Sequence, residues 1–359
     1  MAEVIFPHEA TLFAGVCACF FIVIGVLGNL ITILALLKSP KMRGHATTAF
    51  VLSLCTSDLL FCSFSLPLTA VRYFNEAWTL GMTLCKIFPV IFYGNVAVSL
   101  LSMVGITLNR YILIACHNLY SQIYKPRYIA YQMIFIWLAA FFMMLPPILG
   151  IWGELGLDEA TFSCTILKKD GKSIKKYLFL IGFVVPCLVI IISYSCIYFR
   201  VKRQKLRLKA HRSLSVINSE HSHPSKQRED NKLTIMMLTI FICFVLCFLP
   251  LMLANVVDEN NRSFPWLHIF ASVMAWASSV INPFIYAVSN RNYRIAYYQV
   301  LSLLKFWGEP LSPMASKNYP ISKNSKEASG GLRSTPLFDT KGSLKNHILD
   351  KQQCKGFSV

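Results

Sequence analysis

Residues 11–37 read TLFAGVCACFFIVIGVLGNLITILALL, an apolar run that meets its first charge at Lys38. A helix rises about 1.5 Å per residue, and about 20 apolar residues cross the ~30 Å hydrocarbon core of a bilayer. The run is long enough to span a membrane. It is too long for the apolar core of a cleavable leader, and no basic segment precedes it. Runs of the same kind recur near 48–71, 83–115, 128–151, 177–200, 232–257 and 266–288, which makes seven. The third is the least obvious, because Asn95, Ser99, Ser102 and Asn109 punctuate it. No internal repeat of the transporter kind is visible.

The chain has 359 residues, of which 55% are hydrophobic and 14% charged. A soluble domain of that size could not cover so much apolar surface. The net charge of +18 would suit nucleic acid if it were spread over a soluble surface. Instead it sits in short segments: Lys38, Lys41 and Arg43 after the first span, Lys125 and Arg127 after the third, Arg200 to Arg212 after the fifth, and Arg291 and Arg294 after the seventh. Such segments mark cytoplasmic loops and exclude a nucleic-acid partner. The N-terminus is then extracellular. Residues 168–176 run against the trend with five lysines, partly balanced by Glu154, Asp158, Glu159 and Asp170.

After the last span, Tyr293, Tyr297, Val300, Leu304 and Trp307 recur at three- and four-residue steps, as in an amphipathic helix lying in the membrane interface. The expected architecture is an all-α integral membrane bundle of seven transmembrane helices with an amphipathic eighth. Its parts are an extracellular N-terminus over 1–10, the seven-helix domain over 11–290, the amphipathic helix over 291–307 and a disordered cytoplasmic tail over 308–359. The expected location is the plasma membrane, with multiple passes.

Ionisable groups inside a membrane are costly and point to function. Asp58 is the one carboxylate inside a span, and Asn29, Asn95, Ser99, Ser279 and Asn282 fall near mid-depth of their own helices. These oxygens suit either a small hard cation such as sodium or a set of waters and mutual hydrogen bonds. Pro67, Pro146, Pro147, Pro186, Pro250 and Pro283 lie inside spans, where each removes a backbone donor and bends its helix. Cys17, Cys19, Cys55, Cys62, Cys243 and Cys247 sit in apolar stretches and read as small buried hydrophobes. Cys85 and Cys164 both lie at the outer boundary, so a disulfide should tie the long outer loop to the top of the third helix. From Cys85 to Arg110 is 25 residues, or roughly 37 Å. With Cys85 at the outer lip, Arg110 is at the inner one.

Together these residues resemble the class A (rhodopsin-like) G-protein-coupled receptors over about residues 10–307. Gly28-Asn29 matches the first-helix signature, and Leu54 with Asp58 the second. Trp78 and Cys85 follow, then Asn109-Arg110-Tyr111, Trp137, Pro186 with Tyr194, Phe244-x-x-Cys247-Phe248-x-Pro250, Asn282-Pro283-x-x-Tyr286 and Asn290-x-x-Tyr293-Arg294. The resemblance implies that Arg110 holds the inner helix ends closed at rest and contacts a heterotrimeric G protein when active, with Asp230 as an acidic lock partner. It also implies that Tyr194 and Tyr286 swing inward on activation, and that Asp58, Asn95, Ser99 and Asn282 form a sodium pocket. Three positions depart from the family pattern. Asn109 replaces an aspartate, which should loosen Arg110, Phe248 replaces a switch tryptophan, and His117 replaces a proline. The stretch from Asn109 to Tyr120 is similar to melatonin receptors. The wider pattern is similar to the invertebrate orphan receptors of the moody and trapped-in-endoderm group, which implies a role in cell migration or barrier organisation.

Phe92 stands where amine receptors place an aspartate, and Trp276 where opsins carry their retinal lysine, so neither ligand is expected. Tyr73, Phe92, Tyr93, Asn255, His268 and Trp276 should line an outer cavity. Lys168, Lys169 and Lys172 read either as a solvated run or as an attraction for an acidic lipid or carboxylate. The favoured ligand is lipid-like or small and neutral, and a short peptide is the alternative. The basic stretch 200–212 suits anionic lipid or the G protein. Ser213, Ser215 and the tail serines suit arrestin capture once phosphorylated, Phe357-Ser358-Val359 suits a PDZ groove, and Asn261 heads a glycosylation sequon. A channel or transporter would need more charge at mid-membrane. A hydrolase would need a His or second carboxylate beside Asp58, so no catalytic residue is assigned.

Overall fold

The computed structural model describes residues 6–169, 174–214, 224–257 and 264–306. Seven long helices form the bundle: α1 (His8–Lys38), α2 (Ala46–Asn75), α3 (Met82–Ala115), α4 (Pro126–Phe142), α5 (175–214), α6 (Pro224–Val257) and α7 (Pro265–Ser289). A shorter helix, α8 (Arg291–Phe306), follows. The end of the bundle carrying the start of α1 is called the upper end below. Ser302 closes the main compact unit. Beyond it, only the last turn of α8 is described. Asn261, Ser215 and the tail 308–359 lie outside the described residues, as do the side chains of Asp230, Asn255 and Ser213.

Six of the described helices are individually long and apolar enough to cross a bilayer. The fourth, expected as one run over 128–151, is α4 with 17 residues, followed by a separate turn at Leu145–Ile148. Pro146 and Pro147 cannot donate to the carbonyls of Phe142 and Met143, so the helix stops there. Other prolines are absorbed without a break. A π-helical turn at Phe61–Ser65 precedes Pro67, and another at Leu180–Val184 precedes Pro186. The wider turn takes up the carbonyl that each ring would strike. Pro89, which the apolar runs did not single out, also lies inside α3.

The outward faces are apolar. Phe135, Phe142 and Val288 are strongly exposed, as lipid contact requires and water would penalise. The inward face of α1 is built from small residues, with Ala10, Ala14, Ala18 and Gly25 buried. Small side chains let helices approach closely. At Gly28 an added Cβ would stand 3.1 Å from the Pro283 ring, so the glycine admits α7. α3 packs against α2, α4, α5 and α6, which makes it the central post.

Between α4 and α5 the chain forms a feature absent from the all-α expectation. Strands β1 (Glu154–Asp158) and β2 (Ser163–Leu167) make an antiparallel hairpin, with Leu157 opposite Cys164. Cys164 is bonded to Cys85, Cα to Cα 5.1 Å, as expected. The disulfide packs with Phe88 and Trp78 and pins the hairpin to the first turn of α3. Replacing Cys164 by Ser should cost about 2–5 kcal/mol and lower the thermal midpoint of the purified protein. An unchanged midpoint would show that packing alone holds the hairpin.

At the same end, α1 is clasped to α2. Thr11 Oγ1 donates to Glu76 Oε1 at 2.7 Å, and His8 Nδ1 lies 2.7 Å from the same oxygen. The Thr11 bond first, then His8, holds the Glu76 carboxyl below its usual range. A depressed carboxyl contributes stability above its unfolded value that is lost as pH falls through the folded one. Protection factors in the first turn of α1, referred to the intrinsic exchange rate at each pH, should therefore fall on acidification, and Glu76→Gln should abolish that fall.

Candidate functional site

Three polar or aromatic clusters lie along the bundle axis. The upper one is a cavity of about 590 Å³ between the hairpin and the helices. Tyr73, Phe92, Tyr93, His268 and Trp276 line it, as expected from the sequence. Tyr73 and Trp276 form one wall, with ring centroids 5.8 Å apart. Tyr93 Oη is 3.1 Å from Thr165 Oγ1 on β2, which joins α3 to the hairpin. The sequence reading missed Arg72, Lys175 and Phe6, which also line the cavity. Arg72 had a visible signal, a lone cation near the end of an apolar span.

Below the cavity, Phe183, Phe244 and Phe248 form an aromatic run, with Phe244 and Phe248 centroids 4.6 Å apart. Phe248 borders both the cavity and a much smaller void of about 10 Å³ lined by Asn95, Ser99, Ser278 and Ser279. That is room for roughly one water-sized occupant.

The void adjoins the buried polar core. Asn282 Nδ2 on α7 donates to Asp58 Oδ2 on α2 at 2.7 Å. Ser99 Oγ on α3 donates to Asp58 Oδ1 at 3.3 Å and pairs with Ser57 Oγ at 2.8 Å. Pro283 has no N–H to offer the Ser279 carbonyl one turn back. Asn29 Nδ2 supplies the missing donor at 2.9 Å, which draws α1 onto α7. The amide nitrogen and oxygen of Asn95 are buried without a hydrogen-bond partner. Asn95 and Ser99 line the void, and Ser99 links it to the Asp58 carboxylate, so the oxygens near it are of the kind hard cations prefer. The four residues expected to hold sodium thus include three in direct or linked contact and one, Asn95, with unmet bonding capacity.

The lower cluster surrounds Arg110. Its guanidinium donates to Thr47 Oγ1, and Thr47 in turn donates to Asn109 Oδ1 at 2.8 Å. Arg110 and Asn109 are both buried. A hydroxyl accepts from one group while donating to another, so Thr47 relays the arginine to the asparagine. The sequence reading did not single out Thr47. Nearby, the hydroxyls of Tyr194 and Tyr286 are buried and make no hydrogen bond in the described structure. Tyr286 stacks on Tyr293 at 5.0 Å. Tyr297 Oη reaches Thr32 Oγ1 at 2.8 Å and ties α8 to α1. Arg294 donates to the Ala287 and Val288 carbonyls at 3.0 Å, capping the end of α7.

Pro186 follows the widened turn of α5, Pro250 lies within α6, and Trp137 Nε1 donates to Ser53 Oγ at 3.0 Å to hold α4. Tyr111 is half-buried beside the core. Thr47→Val removes the acceptor of the Arg110 bond, at a cost of about 1–3 kcal/mol. The thermal midpoint of the purified protein should fall, while Thr47→Ser should stay at the wild-type value. Equal midpoints in all three proteins would show that the relay contributes nothing to stability.

Residues 28–286 match the 7 transmembrane receptor (rhodopsin family). The chain is 68% identical to Protein trapped in endoderm-1 of Drosophila melanogaster, over 99% of this chain and 93% of that protein. It is 36% identical to the G-protein coupled receptor moody of the same organism, over 82% of this chain and 52% of that longer protein. It is also similar to Melatonin receptor type 1B-B of Danio rerio, at 29% identity over 88% of this chain and 86% of that one. Among solved structures, squid rhodopsin superposes with a TM-score of 0.71 at 23% identity, covering 85% of this chain and 88% of that chain, a likeness of fold.

Proposed function

The chain belongs to the rhodopsin family of seven-transmembrane receptors, and from that premise we propose that it binds a small extracellular molecule in the upper cavity and activates a heterotrimeric G protein at the lower end. Family members are receptors rather than enzymes, and their multi-pass fold implies the plasma membrane. The observation that carries the proposal is the position of Phe248. Its ring borders both the ligand-sized cavity and the void beside the Asp58 core. A ligand that moves this ring changes the packing around Asp58 and Asn282, and through α7 the setting of Tyr286. Packed cores switch between discrete arrangements rather than deforming smoothly.

In this reading the upper end faces outward, in line with the lysines and arginines at the other loops. The cavity volume suits one small molecule better than a peptide, and its aromatic lining favours a lipid-like body. Trp276 occupies the place of a retinal lysine, so the likeness to squid rhodopsin brings no chromophore with it. Asp58, Asn95, Ser99 and Asn282 would hold a sodium ion, which would offset the buried carboxylate charge and favour the resting packing. Arrestin and a PDZ protein remain proposed partners of the tail. A role in cell migration or barrier organisation is proposed from the likeness to Protein trapped in endoderm-1 and moody.

Purified receptor should accelerate nucleotide exchange on at least one Gα subtype, and Arg110→Ala should reduce that rate about tenfold or more, a loss of about 1.4 kcal/mol. Exchange that is absent on every subtype, or indifferent to Arg110→Ala, would contradict the coupling. Replacing potassium by sodium should raise the thermal midpoint of the wild type and leave Asp58→Asn unmoved. An equal response from both proteins would remove the ion.

A further inference from the structure

Arg72 and one acid, Asp158, are among the described residues that line the upper cavity. Asp158 is already engaged within its own hairpin. Its Oδ1 accepts from the Ala160 N–H at 3.3 Å, and its Oδ2 accepts from Thr161 Oγ1 at 2.8 Å. The carboxylate therefore serves the turn between β1 and β2. Arg72 makes no ion pair among the described residues, and its Nε is buried without a hydrogen-bond partner. The guanidinium carbon sits 4.4 Å from the centroid of the Tyr73 ring. A cation over an aromatic face is attracted to it.

An arginine set over an aromatic ring, with its Nε unpaired, is suited to a planar or multi-oxygen anion. The rest of the cavity offers it little competition. Phe88, Phe92, Phe183, Phe248 and Trp276 supply an apolar body to the same space. An inorganic anion alone would leave that aromatic surface uncovered, and a neutral lipid would leave Arg72 desolvated and unpaired.

We propose that the cavity takes an amphiphile with one anionic head group, which pairs with Arg72 while its apolar body rests on the aromatic floor. The inference depends on the receptor reading only in taking this cavity as the ligand site. Arg72 is the specificity-determining residue.

The test uses full-length receptor in nanodiscs and three fragments of one shape: phenylvalerate, phenylpentanol and phenylpentylamine. Dissociation constants come from thermal-shift titrations on wild type, Arg72→Gln and Arg72→Lys. Phenylvalerate should bind wild type about tenfold tighter than phenylpentanol, the worth of one charge-assisted bond, and phenylpentylamine should bind weakest. Arg72→Gln should erase the preference for the acid and leave phenylpentanol within about twofold, and Arg72→Lys should keep most of it. Equal binding of acid and alcohol to wild type, no binding of either, or a preference that survives Arg72→Gln overturns the proposal. Basal nucleotide exchange is measured on the same samples. Exchange that persists while the acid preference fails removes the ligand class and leaves the receptor. An acid preference without exchange does the reverse.

Discussion

The hydrogen bond between Asp58 and Asn282 sets the terms for the rest of the bundle. A carboxylate taken out of water and placed among apolar helices is tolerated only when its lone pairs are filled. Asn282 fills one side from α7 and Ser99 the other from α3. Neither helix can turn far about its axis without abandoning the charge. α1 is drawn in by the next residue, because Pro283 leaves the Ser279 carbonyl open and Asn29 closes it. At Gly28 an added Cβ would crowd the proline ring at 3.1 Å, and the glycine leaves that ring its room. One buried charge thus orders four helices.

What happens above and below follows from that core. Above it, Phe248 stands between cavity and void, and a phenyl ring there can rotate without an N–H to satisfy. Below it, Arg110 donates to Thr47, which donates in turn to Asn109, so a neutral relay ties α3 to α2. The widened turns before Pro67 and Pro186 give α2 and α5 a place to change pitch without breaking. The structure therefore combines a stiff polar centre with aromatic and proline elements that have alternatives.

The spans, the disulfide and the polar core were legible because each rests on a one-residue or one-period signal. A run without charge reads as a span, two cysteines at one boundary read as a pair, and a lone Asp58 reads as a site. The break in α4 was signalled by Pro146 and Pro147, yet hydropathy alone carried the run through them. Thr47 was not legible. It lies 62 residues before Asn109, and a threonine in a helix has an ordinary local use. Arg72 was passed over for a different reason. Its charge was plain, but only the fold reveals that Asp158, the acid facing the same cavity, is committed to its own turn. The β1–β2 hairpin depends on pairing across a loop, and its short strands leave a weak pattern in a chain dominated by helices.

The central proposal is that Arg110, bonded to Thr47 on α2, keeps the lower end of the bundle closed at rest and that a G protein opens it. The most direct measurement is the distance between probes at Arg127, at the start of α4, and Lys232, in the lower part of α6, in nanodiscs with and without a nucleotide-free G protein. The account predicts a shift to longer distances when the G protein is added, and a population already shifted that way in Thr47→Val. A single distance distribution, the same in every condition and in both proteins, would contradict it.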